Sequence, residues 1–407
     1  MHLLGDIRGR AALVVLGCLI CQLALGYGYV FSPLASMILP DFGWTRTEYF
    51  AVRVPQLVAM SLASPVLGMI IVRGGVRTTL LASAVLLGIS YLLLSRIEEL
   101  WQLYALLMLS ALPLVGLGDI SVGQLVTNWV KRRRGLALGL VYSGSNLAGF
   151  ALVPIWVSVA REHDWRAAFL VMGIGAFVVM IPAILLLVRD RAMDVDVDGD
   201  ADGDASSQGH RAGSDSDLRL RQAVRTRSFW ILAFCVFGFF FYFVGILDHM
   251  VLLFTDGGMA GQDATLFFSR ALGMGLVSKI LLGAIADYIP EKTAILVDHG
   301  MLALSALVLL LLPDDALVWV FIASYGFATA ARDVVYPLII NRCFGERYMA
   351  EIYGALMLAL PGGAIGSIFA AQVHDRSGSY DLALISFVAL TLAAFGALMF
   401  VRDERQG

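Results

Sequence analysis

The sequence predicts an all-α membrane protein: twelve transmembrane helices in two pseudo-symmetric six-helix bundles. Three observations carry that expectation. The 407-residue chain is 59% hydrophobic and only 15% charged, with a mean hydropathy of +0.80, whereas soluble domains run near half apolar and a quarter charged. Its apolar residues gather into twelve runs, most of them near the roughly 20 residues that cross a hydrocarbon core of about 30 Å. The one long polar stretch lies midway and divides the runs six and six.

The runs cover approximately residues 11–39, 51–72, 78–95, 101–126, 135–160, 167–188, 229–253, 264–286, 293–312, 316–340, 350–373 and 382–401. Without water, backbone groups must bond within their own segment, so each run is expected to be a helix. The first is far longer than a signal-peptide core and is read as a tilted spanning helix. An even number of crossings puts both termini on one side. With the termini inside, the inner segments hold 20 Lys and Arg and the outer ones five: Arg46, Arg96, Arg161, Arg166 and Arg376. That bias predicts cytoplasmic termini, in a cell membrane expected to be a bacterial inner membrane.

The polar stretch contains DVDVDGDADGDASSQGHRAGSDSD at 194–217. Alternating Asp with Gly and Ser buries no core and reads as a flexible linker. It mimics a calcium loop, but Ala205 stands where the twelfth-position Glu is needed. The expected organisation is an N-terminal bundle at 1–190, an acidic cytoplasmic linker at 191–226 and a C-terminal bundle at 227–407. The halves echo each other. GMIIVRGGVR (68–77) pairs with GAIADYIPEK (283–292) at an offset of 215, NWVKRRRG (128–135) with NRCFGERY (341–348) at 213, and DWRAAF (164–169) with SYDLAL (379–384) at 215. Nearly one offset for three pairs indicates an internal repeat.

Here the chain resembles the major facilitator superfamily. The loop motif after span 2 is matched by Gly68, Arg73, Gly75 and Arg77, with Val72 where an Asp is expected; the second half keeps Gly283 and Asp287. In that family these residues form a cytoplasmic latch, and Val72 puts its N-terminal half in doubt. Further pieces look like the monocarboxylate and oxalate/formate branch: DFGWTR (41–46), NWVKRRRGLALGLVYSGSNLAG (128–149), LDHMVLLFTDGG (247–258) and HDRSGSY (374–380). The branch carries a cation in span 8, four residues before the motif glycine, and here that is Lys279. Other family positions depart: Gly275 replaces an acid, Pro33 lies near the place of a lysine, and Leu360 occupies that of a second one.

Charges inside the spans are the physical clue to function. One at a helix centre costs roughly 2.5–3.5 kcal/mol on insertion scales, so it normally faces a cavity or a partner. Lys279 is expected to meet a substrate carboxylate, an attraction of about 4 kcal/mol at about 4 Å and an effective dielectric near 20; the bland alternative is snorkelling to the surface. Arg270, nine residues earlier, is turned about 180° from it on a straight helix, so both cannot easily line one cavity. Arg53 either guards an outer vestibule or snorkels outward. Arg332 and Asp333 are adjacent and do not face each other; either reaches another helix. Asp119 is the candidate proton carrier of the first half, with an ion pair as its alternative. Asp248 and His249 end span 7, where they gate or simply meet outer water. Tyr29, Tyr27 and Asn146 are polar candidates for the cavity, helix packing being the alternative role, and glycines 135, 139, 144 and 149 are expected to permit close helix approach.

The expected function is secondary transport of a small organic anion, a monocarboxylate by the resemblance, with a proton or a counter-anion as coupling partner. Export of drugs or other metabolites and solute sensing are the alternatives. No cofactor, metal or nucleic-acid partner is expected, and no catalytic constellation converges in the loops. The four cysteines are expected as free thiols, and the protein as a monomer in the bilayer.

Overall fold

The computed structural model describes residues 9–130, 134–189, 217–285, 289–312, 315–330, 334–345 and 347–405. Among them every regular element is helical. Twelve rods span the molecule. The first six are α1 (Arg10–Phe42), α2 (Arg53–Gly74), α3 (Val76–Leu94), α4 (Leu100–Trp129), α5 (Gly135–Glu162) and α6 (Trp165–Leu187). The second six are α7 (Arg227–Asp256), α8 (Gly261–Ile285), α9 (Glu291–Leu309), α10 (Asp315–Phe327, resumed at Tyr336–Phe344), α11 (Glu351–Ser377) and α12 (Asp381–Leu398). Ten are long and apolar enough to cross a membrane on those grounds alone. Their outward faces are greasy: Leu62, Leu186 and Leu358 are 69%, 74% and 77% exposed. Water would penalise such surfaces, and lipid does not.

Several rods change winding where the sequence dictates it. In α4, Gly118 takes an extended conformation between Gly116 and Asp119, so Asp119 opens a fresh helical segment. In α5 and α6, π-helical turns at Ala148–Leu152 and Ala176–Met180 precede Pro154 and Pro182, as expected where a ring removes a ladder donor. In α1, Leu23–Val30 tightens to a 3₁₀ helix. Gly75 closes α2 at φ +81°, a left-handed conformation that side chains resist.

Two contacts display the internal repeat. Arg77, at the start of α3, donates to the Leu185 carbonyl at the end of α6 at 2.6 Å. Its counterpart at the 215 offset, Lys292, donates to the Met399 and Val401 carbonyls beyond α12 at 2.9 and 3.1 Å. Each half thus ends with a cation on the last carbonyls of its sixth helix, the favourable sign for that end of the dipole.

Two expectations need correction. α7 runs on to Asp256, so Asp248 and His249 do not end it; they are 1% and 0% exposed. The linker is not polar tether throughout its expected 191–226 range. Leu218 N–H donates to the Phe344 carbonyl at 2.9 Å, and Ala223 is fully buried. The linker's end is therefore docked on the C-terminal half; residues 190–216 lie outside the described ones.

Candidate substrate-binding cavity

A cavity of about 180 Å³ lies between the halves, lined by α1, α2, α4 and α5 on one side and α7, α8, α10 and α11 on the other. Its wall is mostly apolar, including Leu57, Met60, Phe239, Phe243, Leu247 and Leu360. Into this wall are set Tyr29, Arg53, Gln56, Ser145, Asn146, Lys279 and Thr329. Four residues singled out from the sequence therefore meet here: Tyr29, Arg53, Asn146 and Lys279.

Lys279 is 5% exposed, and its Nζ donates to the Tyr142 carbonyl on α5 at 3.3 Å. Its ammonium therefore lies at the seam between the halves and has not snorkelled away. Small residues make the seam tight. A Cβ on Gly275 would stand 2.2 Å from Asn146 Nδ2, and one on Gly149 would stand 2.3 Å from Leu272 Cδ1. Asn146 Nδ2 donates across it to the Leu272 carbonyl at 3.1 Å. Polar groups thus tie α5 to α8 where hydrocarbon offers no driving force for helix association.

Arg53 is turned inward. Its Nε lies 3.1 and 3.0 Å from Asp248 Oδ1 and Oδ2, and Nη2 lies 2.5 Å from Oδ1. Nη1 donates to Gln56 Oε1 and Nη2 to the Gly28 carbonyl, both at 3.1 Å. A planar fork on a carboxylate is the strongest ionic geometry available to side chains. Ser367 Oγ donates to Asp248 Oδ2 at 2.8 Å. The pair therefore joins α2 of one half to α7 and α11 of the other.

The connection continues outward. Ser367 offers its carbonyl to His249 Nε2 at 2.9 Å; a carbonyl only accepts, so Nε2 carries the hydrogen. In the neutral ring Nδ1 then accepts from the Tyr380 hydroxyl, 2.9 Å away. Tyr380 Oη accepts from Arg46 Nη1 at 2.6 Å, and Arg46 also grips Asp256 at 2.7 and 3.0 Å. Burial pushes the Tyr380 phenol well above its ordinary pKa, and Arg46 pulls part of the way back, so the hydroxyl keeps its proton for His249. Beside this chain, Asp375 Oδ2 accepts from the backbone N–H and hydroxyl of Thr47 at 2.8 and 2.6 Å. One lock thus runs from the cavity to the face opposite the termini and closes the halves there.

The other candidates lie elsewhere. Arg270 is exposed and stacks on Phe267 and Trp319 at 5.4 and 5.1 Å; it does not line the cavity, because half a turn separates it from Lys279. Asp119 is half-buried, accepts from Gln22 Nε2 at 3.0 Å, and is outside the cavity lining. Tyr27 turns into its own bundle and donates to the Met172 carbonyl at 3.0 Å. Gly68 and Arg73 lie on α2 and Gly283 on α8, while Arg332, Asp333 and Asp287 lie outside the described residues.

The sequence reading passed over Gln56, Ser367 and Tyr380, and also Asp298 and His299 in the middle of α9, both essentially fully buried. Asp298 and His299 fall inside the 293–312 run, so the criterion that singles out Asp119 and Asp333 applies equally to them. No sequence signal singles out Ser367 or Gln56.

Twelve helices in two repeated halves, with a cavity at their seam, define a membrane carrier. The Major Facilitator Superfamily profile matches residues 16–361, and the chain belongs to that family. It is similar to monocarboxylate transporter 13 of Bos taurus, 25% identical over 90% of this chain and 86% of that one. It is also similar to an uncharacterised MFS-type transporter, YhjX, of Escherichia coli K12, 24% identical over 88% of this chain and 85% of that one. Among solved structures it matches a bacterial homologue of the human lysosomal transporter Spinster, in an inward-facing and occupied conformation. The TM-score is 0.69 at 15% identity, covering 98% of this chain and 96% of that one; at that identity the likeness concerns fold alone.

Proposed function

We propose that the protein is a secondary carrier of small organic anions, of the monocarboxylate class, working by alternating access with proton symport or anion exchange. The observation that carries this reading is Lys279 in the wall of an otherwise mostly apolar cavity at the seam of the halves. An ammonium there favours a carboxylate, and the apolar lining suits a short hydrocarbon chain. Size supports the same class. About 180 Å³ falls below the roughly 300–1,000 Å³ of pockets for drug-sized ligands, which weighs against bulky cargo. The monocarboxylate transporters among the relatives add support. In this reading the termini are cytoplasmic, so the locked face is the external one and the cavity belongs to an inward-facing state.

The test is counterflow of labelled short-chain acids in proteoliposomes. Lys279→Gln should lower the initial rate at least about tenfold, equivalent to about 1.4 kcal/mol of lost attraction, and Lys279→Arg should restore part of it. Equal rates for wild type and Lys279→Gln would remove Lys279 from the site.

A further inference from the structure

One cluster of ionisable side chains lies outside the cavity and outside the lock. Asp298 is 0% exposed and fully within α9. Among the described residues neither of its carboxyl oxygens makes a hydrogen bond. His299 follows it, with Nδ1 3.8 Å from Asp298 Oδ2, and its Nε2 lies 2.9 Å from the Tyr336 hydroxyl on α10. The Tyr336 hydroxyl also lies within electrostatic reach of Cys235 on α7, Asp298 on α9 and Tyr353 on α11. Tyr242 of α7 is engaged further along, 2.8 Å from Ser305 of α9. α12 carries no ionisable side chain between Leu382 and Leu398. No Lys or Arg among the described residues makes an ion pair or hydrogen bond with Asp298; Arg332 and Asp333 lie outside them.

An ionised carboxylate so placed would forfeit its hydration with no hydrogen bond from the described residues in return, a penalty of several kcal/mol. Packing gives the cluster a link to the cavity. The ring of Phe239 lies 6.5 Å from that of His299 and 6.3 Å from that of Tyr336, and the same Phe239 lines the cavity. His299 and Tyr336 therefore stand one side-chain layer behind the substrate wall, and Asp298 is the neighbour of His299 on α9.

We infer that Asp298, with His299 and Tyr336 beside it, is the binding site of a coupling proton, which makes the carrier a proton–organic anion symporter. The inference rests on the carrier reading above and selects between its two coupling modes. Proton balance is simple. The Asp298 carboxylate takes one proton from water on the face where substrate is loaded and returns it to water on the face where substrate is released. His299 is the one group of the cluster able to pass that proton on without forming an anion. One anion and one proton cross together, and no net charge moves.

The test uses purified wild type and Asp298→Asn in proteoliposomes. Wild type should accumulate labelled acid under an imposed pH gradient and move protons when acid is added. In Asp298→Asn, gradient-driven accumulation should fall at least tenfold and the proton signal should vanish. One-for-one exchange of acid requires no proton release and should continue, which also shows that the variant is folded. Infrared difference spectra give a readout independent of transport: the carbonyl stretch of a protonated acid should be present in wild type at neutral pH and missing from Asp298→Asn. Undiminished gradient-driven accumulation by Asp298→Asn, or no band lost from its spectrum, overturns the assignment. So does a wild type that exchanges acids without moving protons, although the carrier reading then survives. A wild type that carries no organic acid ends both.

Discussion

At the residue scale, two ion pairs in the same lock differ sharply in worth. Arg46 and Asp256 are 16% and 38% exposed, whereas Arg53 and Asp248 are 12% and 1% exposed. Water and salt screen the first, and such pairs contribute about 0–1 kcal/mol. Removing one partner of a buried pair strands the other charge and costs about 3–5 kcal/mol. Arg53→Gln should therefore lower the thermal midpoint of detergent-solubilised protein far more than Arg46→Ala. Combining it with Asp248→Asn should cost less than the sum of the single changes, because neither charge is then left alone. Strict additivity in a thermal-shift series would show that the two side chains are not coupled. Sequence alone announced both charges by their place in apolar runs. It left their pairing open, since 195 positions separate Arg53 from Asp248 and only the packed bundle brings them together.

At the element scale, packing between rods depends on missing side chains. A Cβ on Gly366 of α11 would fall 1.9 Å from the Phe241 carbonyl oxygen of α7, whereas Gly354 on the same rod has nothing within 4 Å. Backbone cannot step aside as a side-chain tip can, and overpacking costs about 1–3 kcal/mol or more. Gly366→Ala should thus reduce folded yield and thermal stability, while Gly354→Ala should match wild type; similar melting curves for both would contradict the close contact of α7 with α11. The spans were legible because hydrocarbon demands long apolar helices, a pattern the chain states plainly. Their interruptions were only partly legible. Within the 350–373 run Pro361-Gly362-Gly363 reads as a break, and the α-helix restarts at Gly362; the turn at Gly118 is not legible, because glycines inside an apolar run read equally as packing. The outer end of α7 was misread for a related reason: Asp248 and His249 look like a boundary until Arg53, Ser367 and Tyr380 are seen to satisfy them.

At the scale of the molecule, two halves locked at one face imply a second state in which that lock is open. Thr47 and Asp375 meet across it, with Thr47 Oγ1 2.6 Å from Asp375 Oδ2, the first half-buried and the second exposed. The four native cysteines are free and buried, so they leave this site clear for a new pair. A Thr47→Cys/Asp375→Cys protein should form a disulfide under oxidation and stop transporting, with activity restored by a thiol reductant. Full transport by the cross-linked form would mean that the face need not open. The repeat was legible in three short segments at nearly one offset, and Arg77 with Lys292 shows the physical basis: both cap the carbonyl end of a sixth helix.

A Lys279 ammonium in the cavity wall, acting as proposed, makes the cavity selective for a carboxylate. The most direct measurement compares counterflow of a labelled short-chain acid with that of its neutral amide, matched in shape, in wild-type proteoliposomes. The acid should be carried at least about tenfold faster, the advantage supplied by a cation in a low-dielectric wall. Equal rates for acid and amide, or transport of neither, would contradict it.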